Sequence, residues 1–147
     1  MALTLEWRHR IMAWRHELSN HFYQVLKPVE LKAAFTKDQF RIAEALENLD
    51  FEPIPTGTPW GSKWEYGWFI GSVEMPDAAA GQMVVLMMDV GAESAVYING
   101  DYAGAVDEYH KAIILTDSAQ PGMTYSVILE AYGGHAPQEW RSGPTPP

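Results

Sequence analysis

The clearest indication of the fold is the segment Ser94-Ala-Val-Tyr-Ile-Asn-Gly-Asp-Tyr-Ala-Gly-Ala-Val106, which contains two short strand patterns joined by a two-residue turn. The strand patterns are Ser94 to Ile98 and Tyr102 to Val106, and they flank Asn99-Gly100. Asparagine and glycine both tolerate the positive φ angles of a type I′ turn, so this dipeptide is the commonest signal of a tight β-hairpin. The segment therefore predicts a pair of antiparallel strands.

Further strand patterns lie on both sides of this hairpin. From Lys63 onward, aromatic and aliphatic residues alternate with other residues as in a strand, at Trp64, Tyr66, Trp68 and Ile70. Met83 to Val90 lies between two glycines and is apolar except for Asp89, which predicts a central strand covered on both faces. The last two strands are predicted at Ala112 to Thr116 and Thr124 to Tyr132.

Several short strands with no long helix between them are typical of an all-β domain. They predict a mainly β fold, an antiparallel, jelly-roll-like β-sandwich. We expect its core to include one set of aliphatic residues from these strands: Val85, Leu86, Val96, Ile98, Val127 and Leu129.

One or two helices are predicted before the sandwich. Spacings of three and four residues give the first helix an apolar stripe that consists of Trp7, Ile11, Trp14, Leu18 and Phe22. We expect this stripe to pack on the sandwich, with a contact to another domain or a second copy as the alternative. The second helix is predicted to begin after Thr36, with Gln39 in a capping box, and to bury Phe40, Ala43, Leu46 and Leu49.

The predicted organisation has three parts. Residues 1–50 form an N-terminal helical segment that packs on the sandwich, residues 51–141 form the β-sandwich domain, and residues 142–147 form a Pro-rich linker or tail.

Composition excludes several classes of protein. The chain has 147 residues, no cysteine and a net charge of −9, which excludes thiolate metal sites and disulfides and argues against nucleic-acid binding. Its longest apolar run ends at Asp89, too short for a membrane helix, and its charged N-terminus does not resemble a signal peptide, so we expect a cytoplasmic protein without a membrane partner. The charge is uneven: residues 1–41 hold seven basic and four acidic residues, whereas residues 42–147 hold three and fifteen.

The polar residues that follow the hairpin are the metal-binding candidates. Asp101, Asp107, Glu108 and His110 could supply several ligands to a cation at the rim of a sandwich, but their spacing matches no calcium loop. Solvation of a loop explains them better, and we assign no metal site. The acidic residues carried by strands, among them Glu74 and Glu130, are interpreted as a solvated face rather than as a catalytic pair.

Aromatic residues are concentrated between Trp60 and Phe69. Aromatic rings can stack on the apolar face of a sugar ring. Successive side chains of a strand point to opposite faces of the sheet, so only the aromatic residues on one face could form a sugar-stacking platform. Most of these side chains are expected in the core. The residues that we assign to a possible carbohydrate site are Trp60, Trp64 and Tyr102.

Four segments resemble the N-terminal β-sandwich domain of α-mannosidases of glycoside hydrolase family 38, of the bacterial and cytosolic type. They are Pro59-Trp60-Gly61-Ser62-Lys63-Trp64-Glu65-Tyr66-Gly67-Trp68-Phe69, Val84 to Gly91, Ala95-Val96-Tyr97-Ile98-Asn99-Gly100 and Val127 to Gly134. The resemblance covers about residues 50 to 137. The Val-Tyr-Ile-Asn-Gly element also resembles, in looser form, the sugar-binding-like sandwich domains of other large glycosidases, which implies a β-sandwich of the galactose-binding-like class.

The resemblance implies that the complete enzyme is a zinc-dependent, retaining α-mannosidase whose metal ligands and nucleophile lie in a catalytic domain that follows this one. No catalytic residue and no cofactor is therefore expected in this chain, and the catalytic domain of the same polypeptide is its expected partner. Two alternatives belong to other classes. The first is a separate carbohydrate-binding module, and the second is a domain that makes a homo-oligomer contact.

Overall fold

The structure is a computed structural model that describes residues 4–19 and 21–134. It contains two α-helices, eight β-strands and a short 3-10 turn over Asp77–Ala79. The helices are α1 (Leu5–Ser19) and α2 (Ile42–Asn48), and the strands are β1 (Leu31–Thr36), β2 (Glu52–Ile54), β3 (Tyr66–Glu74), β4 (Val84–Met87), β5 (Ser94–Ile98), β6 (Asp101–Val106), β7 (Ala112–Thr116) and β8 (Thr124–Tyr132). The predicted tail, residues 142–147, lies outside the described residues.

The strands form two antiparallel sheets. One has six strands in the order β2-β1-β3-β8-β5-β6, and the other consists of β4 and β7. Leu86 of the small sheet joins Phe69, Val96 and Leu129 of the large sheet in one core cluster. This arrangement confirms the predicted mainly β, antiparallel sandwich.

The Asn99-Gly100 turn forms as predicted. Both residues have positive φ, 53° at Asn99 and 88° at Gly100. The Asn99 side chain also fixes the turn to the neighbouring strand, because its Oδ1 accepts a hydrogen bond from the backbone N–H of Ser126 at 2.9 Å. The turn thus joins β5 to β6 and attaches the hairpin to β8.

Four of the six predicted core residues are buried, namely Leu86, Val96, Val127 and Leu129. Val85 and Ile98 are only half-buried. Val85 follows a buried Val84 on β4, so alternation directs its side chain to the other side of the small sheet. Ile98 is the last residue of β5, beside the turn, where fewer neighbours cover it.

The prediction of a central strand over Met83 to Val90 is wrong. Only Val84–Met87 is a strand, and it pairs with β7 alone in the described structure. Met83 is 61% exposed and Met87 is 53% exposed. The small sheet therefore covers the core with one face and turns these methionines towards solvent.

The structure differs from the predicted division at residue 50. Residues 31–36 form β1, which pairs with β3 inside the six-stranded sheet. Thr36 therefore ends a strand instead of capping a helix, and its Oγ1 accepts a hydrogen bond from the N–H of Asp38 at 3.0 Å. The capping interaction lies five residues further on, where the Glu44 carboxylate accepts the N–H of Arg41 at 2.8 Å.

Helix α2 covers part of the outer face of the large sheet, which is the face opposite the β4–β7 sheet. Ala45 and Trp68 are completely buried there, beside Ile128. The predicted buried face of this helix is only partly correct, because Phe40 and Leu49 are half-buried whereas Ala43 and Leu46 are exposed. The face that contacts the sheet contains Ile42 and Ala45 instead.

Gly67→Ala is expected to lower the free energy of unfolding by about 1–3 kcal/mol, because overpacked cores cost this much. A Cβ at residue 67 would lie 2.6 Å from Trp60 Cζ3. Urea denaturation measures the change. In a Trp60→Phe background the same substitution should cost less, because phenylalanine lacks the Cζ3 and Cη2 atoms that the new Cβ would meet. An equal cost in both backgrounds would contradict this packing.

Candidate interaction surfaces

Trp60 lies in the core. It is 7% exposed, its ring stacks on Phe35 with centroids 5.5 Å apart, and its Nε1–H donates to the carbonyl of Val90 at 2.7 Å. Its ring also meets Phe69 edge to face, with centroids 5.2 Å apart. A side chain that is this deeply buried, stacked on Phe35 and hydrogen-bonded at its nitrogen is not available to stack on a sugar.

The other two predicted platform residues lie elsewhere. Trp64 precedes β3 in a left-handed conformation, with φ of 68°, and the ammonium of Lys63 lies 5.5 Å from its ring centre. Tyr102 lies on β6 and is 64% exposed. The structure therefore does not bring Trp60, Trp64 and Tyr102 together into one platform, because each belongs to a different surface or to the core.

The predicted metal candidates are also separated. Asp101 is the first residue of β6, whereas Asp107 follows the last residue of that strand, so the length of the strand lies between them. Asp107 closes a local turn: its Oδ1 accepts the backbone N–H of Tyr109 and of His110, both at 2.7 Å. Within residues 4–19 and 21–134, no three His, Cys, Asp or Glu side chains are grouped as metal ligands would be.

The His110 ring completes this turn, with Nδ1 3.0 Å from the Asp107 carboxylate. Hydrogen bonds from the ring and from the backbone N–H groups hold the pKa of Asp107 below its usual value. The carboxylate oxygens are thus already occupied by local donors, which explains this cluster as loop structure.

An open groove of about 1100 Å³ lies beside β2 and the start of β1. Its walls are mainly apolar and include Pro28, Val29, Ile54, Trp60 and Val90. At one wall the backbone at Gly71 lies close to the backbone at Glu30, so that a Cβ on Gly71 would lie 2.8 Å from the carbonyl oxygen of Glu30. The groove continues the core towards solvent, and polar side chains also line it, among them Glu30, Lys32, Thr56 and Asp89.

The apolar stripe of α1 is uncovered. Trp7 is 54% exposed, Trp14 is 71% exposed, and every side chain described between residues 4 and 18 is exposed. The structure therefore does not show the predicted packing of this helix on the sandwich. Two exposed tryptophans on one helix face form an apolar surface of the kind that marks protein contacts.

The outer face of the large sheet holds a second uncovered surface, beside the part that α2 covers. Tyr97 and Tyr102 are paired across the hairpin, with ring centroids 5.7 Å apart and an angle of 66° between the rings. Glu130 of β8 shares this face, because its neighbours Leu129 and Ala131 point into the core. Burial, and then the charge of Glu130, raise the pKa of Tyr97.

The sequence patterns above do not single out Tyr97 or distinguish Glu130 from the other acidic residues. Two signals were available. A two-residue hairpin turn places Tyr97 opposite Tyr102, and Glu130 is the one charged residue of the β8 sequence. The proximity of Glu130 to the tyrosines depends on the pairing of β5 with β8, which no local pattern specifies.

Glu130→Gln is expected to stabilise the chain at neutral pH. Burial raises the pKa of Glu130. The folded chain therefore binds the proton more tightly than the unfolded chain, and stability is lost as the pH rises through the unfolded and then the folded pKa. Glutamine does not ionise. The urea midpoint of the Glu130→Gln chain should therefore exceed that of the parent by an amount that grows from about pH 4, near the usual glutamate pKa, to pH 7.

Glu74→Gln, at an exposed position near the end of β3, is the matched control and should show no such growth. A Glu130→Gln chain that is less stable than the parent at pH 7 would mean that the carboxylate has a stabilising partner.

Comparison with known proteins gives a family. Residues 27–145 match the family described as alpha-mannosidase, jelly roll domain. No curated protein matches the chain. In the part of the chain that the structure describes, no helix is both long and apolar enough to cross a membrane.

Proposed function

Since the chain belongs to the family of alpha-mannosidase jelly roll domains, we propose that it is the non-catalytic N-terminal domain of a zinc-dependent, retaining α-mannosidase of glycoside hydrolase family 38. In this proposal the domain supports the catalytic domain of the same cytoplasmic polypeptide. The family match supports the kind of enzyme, and the uncovered stripe of α1 supports the role of the domain within it.

The proposed supporting role rests on the exposed apolar stripe of α1. Burying one tryptophan removes roughly 150–250 Å² from water, so Trp7 and Trp14 together supply a substantial part of an interface between domains. Ile11 and Leu18 lie on the same stripe and are 49% and 44% exposed. We assign this face to the contact with the catalytic domain.

The basic residues of the helix are compatible with such a contact. Arg8, Arg10 and Arg15 flank the stripe, and Arg10 lies over the Trp7 ring, 5.6 Å from its centre. Long basic side chains at the rim of an apolar stripe can reach acidic groups on a partner while their stems cover the tryptophans.

Zinc is assigned to the catalytic domain rather than to this one. Among the described residues, no three His, Asp or Glu side chains lie together as the ligands of a metal ion would. No step of the hydrolysis is therefore assigned to this chain.

The experiment compares the complete polypeptide with the isolated chain. Trp7→Ala with Trp14→Ala should lower the melting temperature of the complete polypeptide and leave that of the isolated chain unchanged, because the stripe is uncovered only when the chain is alone. Leu5→Ala with Met12→Ala is the matched control, since both residues are apolar, exposed and on the opposite side of α1.

Two outcomes would contradict the assignment of α1. Unchanged melting of the complete polypeptide would show that the stripe does not contact the catalytic domain. A dimer of the isolated chain that light scattering detects, and that Trp7→Ala with Trp14→Ala abolishes, would assign the stripe to an oligomer contact instead.

A further inference from the structure

The uncovered part of the outer face forms a shelf with a floor of small residues. Glu130 of β8 is paired with Ala95 of β5, and Ala95 is paired with Ala105 of β6. Paired residues on neighbouring strands point to the same face, so the three side chains lie in one row across the sheet. We call this row, together with Tyr97 and Tyr102, the tyrosine shelf.

The two tyrosines form the wall of the shelf. Tyr97 is two residues from Ala95 along β5 and therefore projects from the same face, beside the alanine floor. Tyr97 is half-buried against the cluster under α2, which fixes its ring, and Tyr102 packs edge-on against it. Tyr102 remains 64% exposed, so a partner can reach its ring.

Glu130 supplies an unpaired charge at the β8 end of the floor. It is half-buried, yet among the described residues no side chain forms a hydrogen bond or ion pair with its carboxylate. Asp89 offers a contrast, because this more exposed acid is paired with Lys111. A partly desolvated carboxylate without a counter-charge costs free energy in the isolated chain, and a cation that reaches it recovers that cost.

We propose that the tyrosine shelf binds an arginine side chain of a partner polypeptide. The guanidinium donates two hydrogen bonds to the Glu130 carboxylate and lies over the alanine floor, against the tyrosine rings. Arginine fits better than lysine, because its planar group binds a carboxylate with two parallel hydrogen bonds and also stacks on aromatic rings. This contact is independent of the one proposed for α1, and the two surfaces can be tested separately.

The test is a titration of the ¹⁵N-labelled chain, followed by NMR, with N-acetyl-arginine-N-methylamide as the probe. We expect chemical shift changes at the amides of Ala95, Tyr97, Ala105 and Glu130. Glu130→Gln should weaken binding by about tenfold, because charge-assisted hydrogen bonds are replaced by neutral ones. Tyr102→Ala, at an exposed position that can change without loss of the fold, should also weaken it.

Matched probes and variants separate the possible explanations. The lysine analogue should bind more weakly than the arginine probe, and Glu74→Gln should leave binding unchanged. Trp7→Ala with Trp14→Ala should also have no effect, which distinguishes this site from the α1 stripe. A Glu130→Gln chain that is more stable yet binds less would assign the carboxylate to recognition and not to folding.

Three results would overturn the proposal. The first is the absence of shift changes at the shelf, and the second is changes spread over the acidic surface that Glu130→Gln does not affect. The third is a response of the shelf to methyl α-mannopyranoside but not to the arginine probe, which would assign it to a sugar.

Discussion

Trp60→Ala is expected to lower the free energy of unfolding by about 3–5 kcal/mol, the usual cost of removing a buried tryptophan from a core. The substitution deletes a ring that contacts both Phe35 and Phe69 and removes the hydrogen bond to the Val90 carbonyl. Urea denaturation followed by far-UV circular dichroism measures this loss, since that signal does not depend on the tryptophan itself.

Trp14→Ala is the matched control, because it makes the same chemical change at a position that is 71% exposed. Its effect on the isolated chain should stay within about 0.5 kcal/mol. If the two substitutions had equal effects, Trp60 would not be a core residue, and its role as a sugar-stacking residue would have to be considered again.

Leu129→Ala is expected to cost about 2–5 kcal/mol, because it leaves a cavity between the two sheets. Leu129 is completely buried, and it lies on β8 between Phe69 of β3 and Val96 of β5, to which it is paired. Leu46→Ala, at a residue of α2 that is 45% exposed, is the control and should cost far less. A small loss at Leu129 would contradict the placement of β8 in the centre of the sheet.

Local patterns predicted those elements whose signals lie within a few residues of one another. The β5–β6 hairpin follows from Asn99-Gly100, and the bounds of β7 and β8 follow from alternation between turn-forming segments. The fold class follows in turn from the number and spacing of such strands. These features need no knowledge of which strand pairs with which.

Elements that depend on pairing between distant segments were not predicted correctly. The apolar run from Met83 fits a central strand and an outer strand equally well, and the choice depends on its pairing with β7. Thr36 matched a helix cap by sequence, but its pairing with Tyr66 of β3 keeps it in a strand. In both places a long-range contact overrides a local preference.

The same distinction applies to the candidate sites. Alternation along the Trp60–Phe69 segment showed that only some aromatic side chains could face solvent, but not which ones. Tyr102, which was predicted to bind carbohydrate, is exposed, whereas its grouping with Trp60 assumed a surface that the sheets do not form. The tyrosine shelf combines a local feature, the pair across the turn, with a non-local one, the pairing of β5 with β8.

We propose that this chain is the supporting N-terminal domain of an α-mannosidase, and the native protein offers the sharpest test. An antibody raised against residues 27–134 would capture the native polypeptide from the source cells, and the captured material would be assayed on an aryl α-mannoside. We expect a polypeptide much longer than 147 residues whose hydrolysis of the substrate is lost on chelation and restored by zinc. A captured polypeptide of 147 residues without α-mannosidase activity would contradict the account.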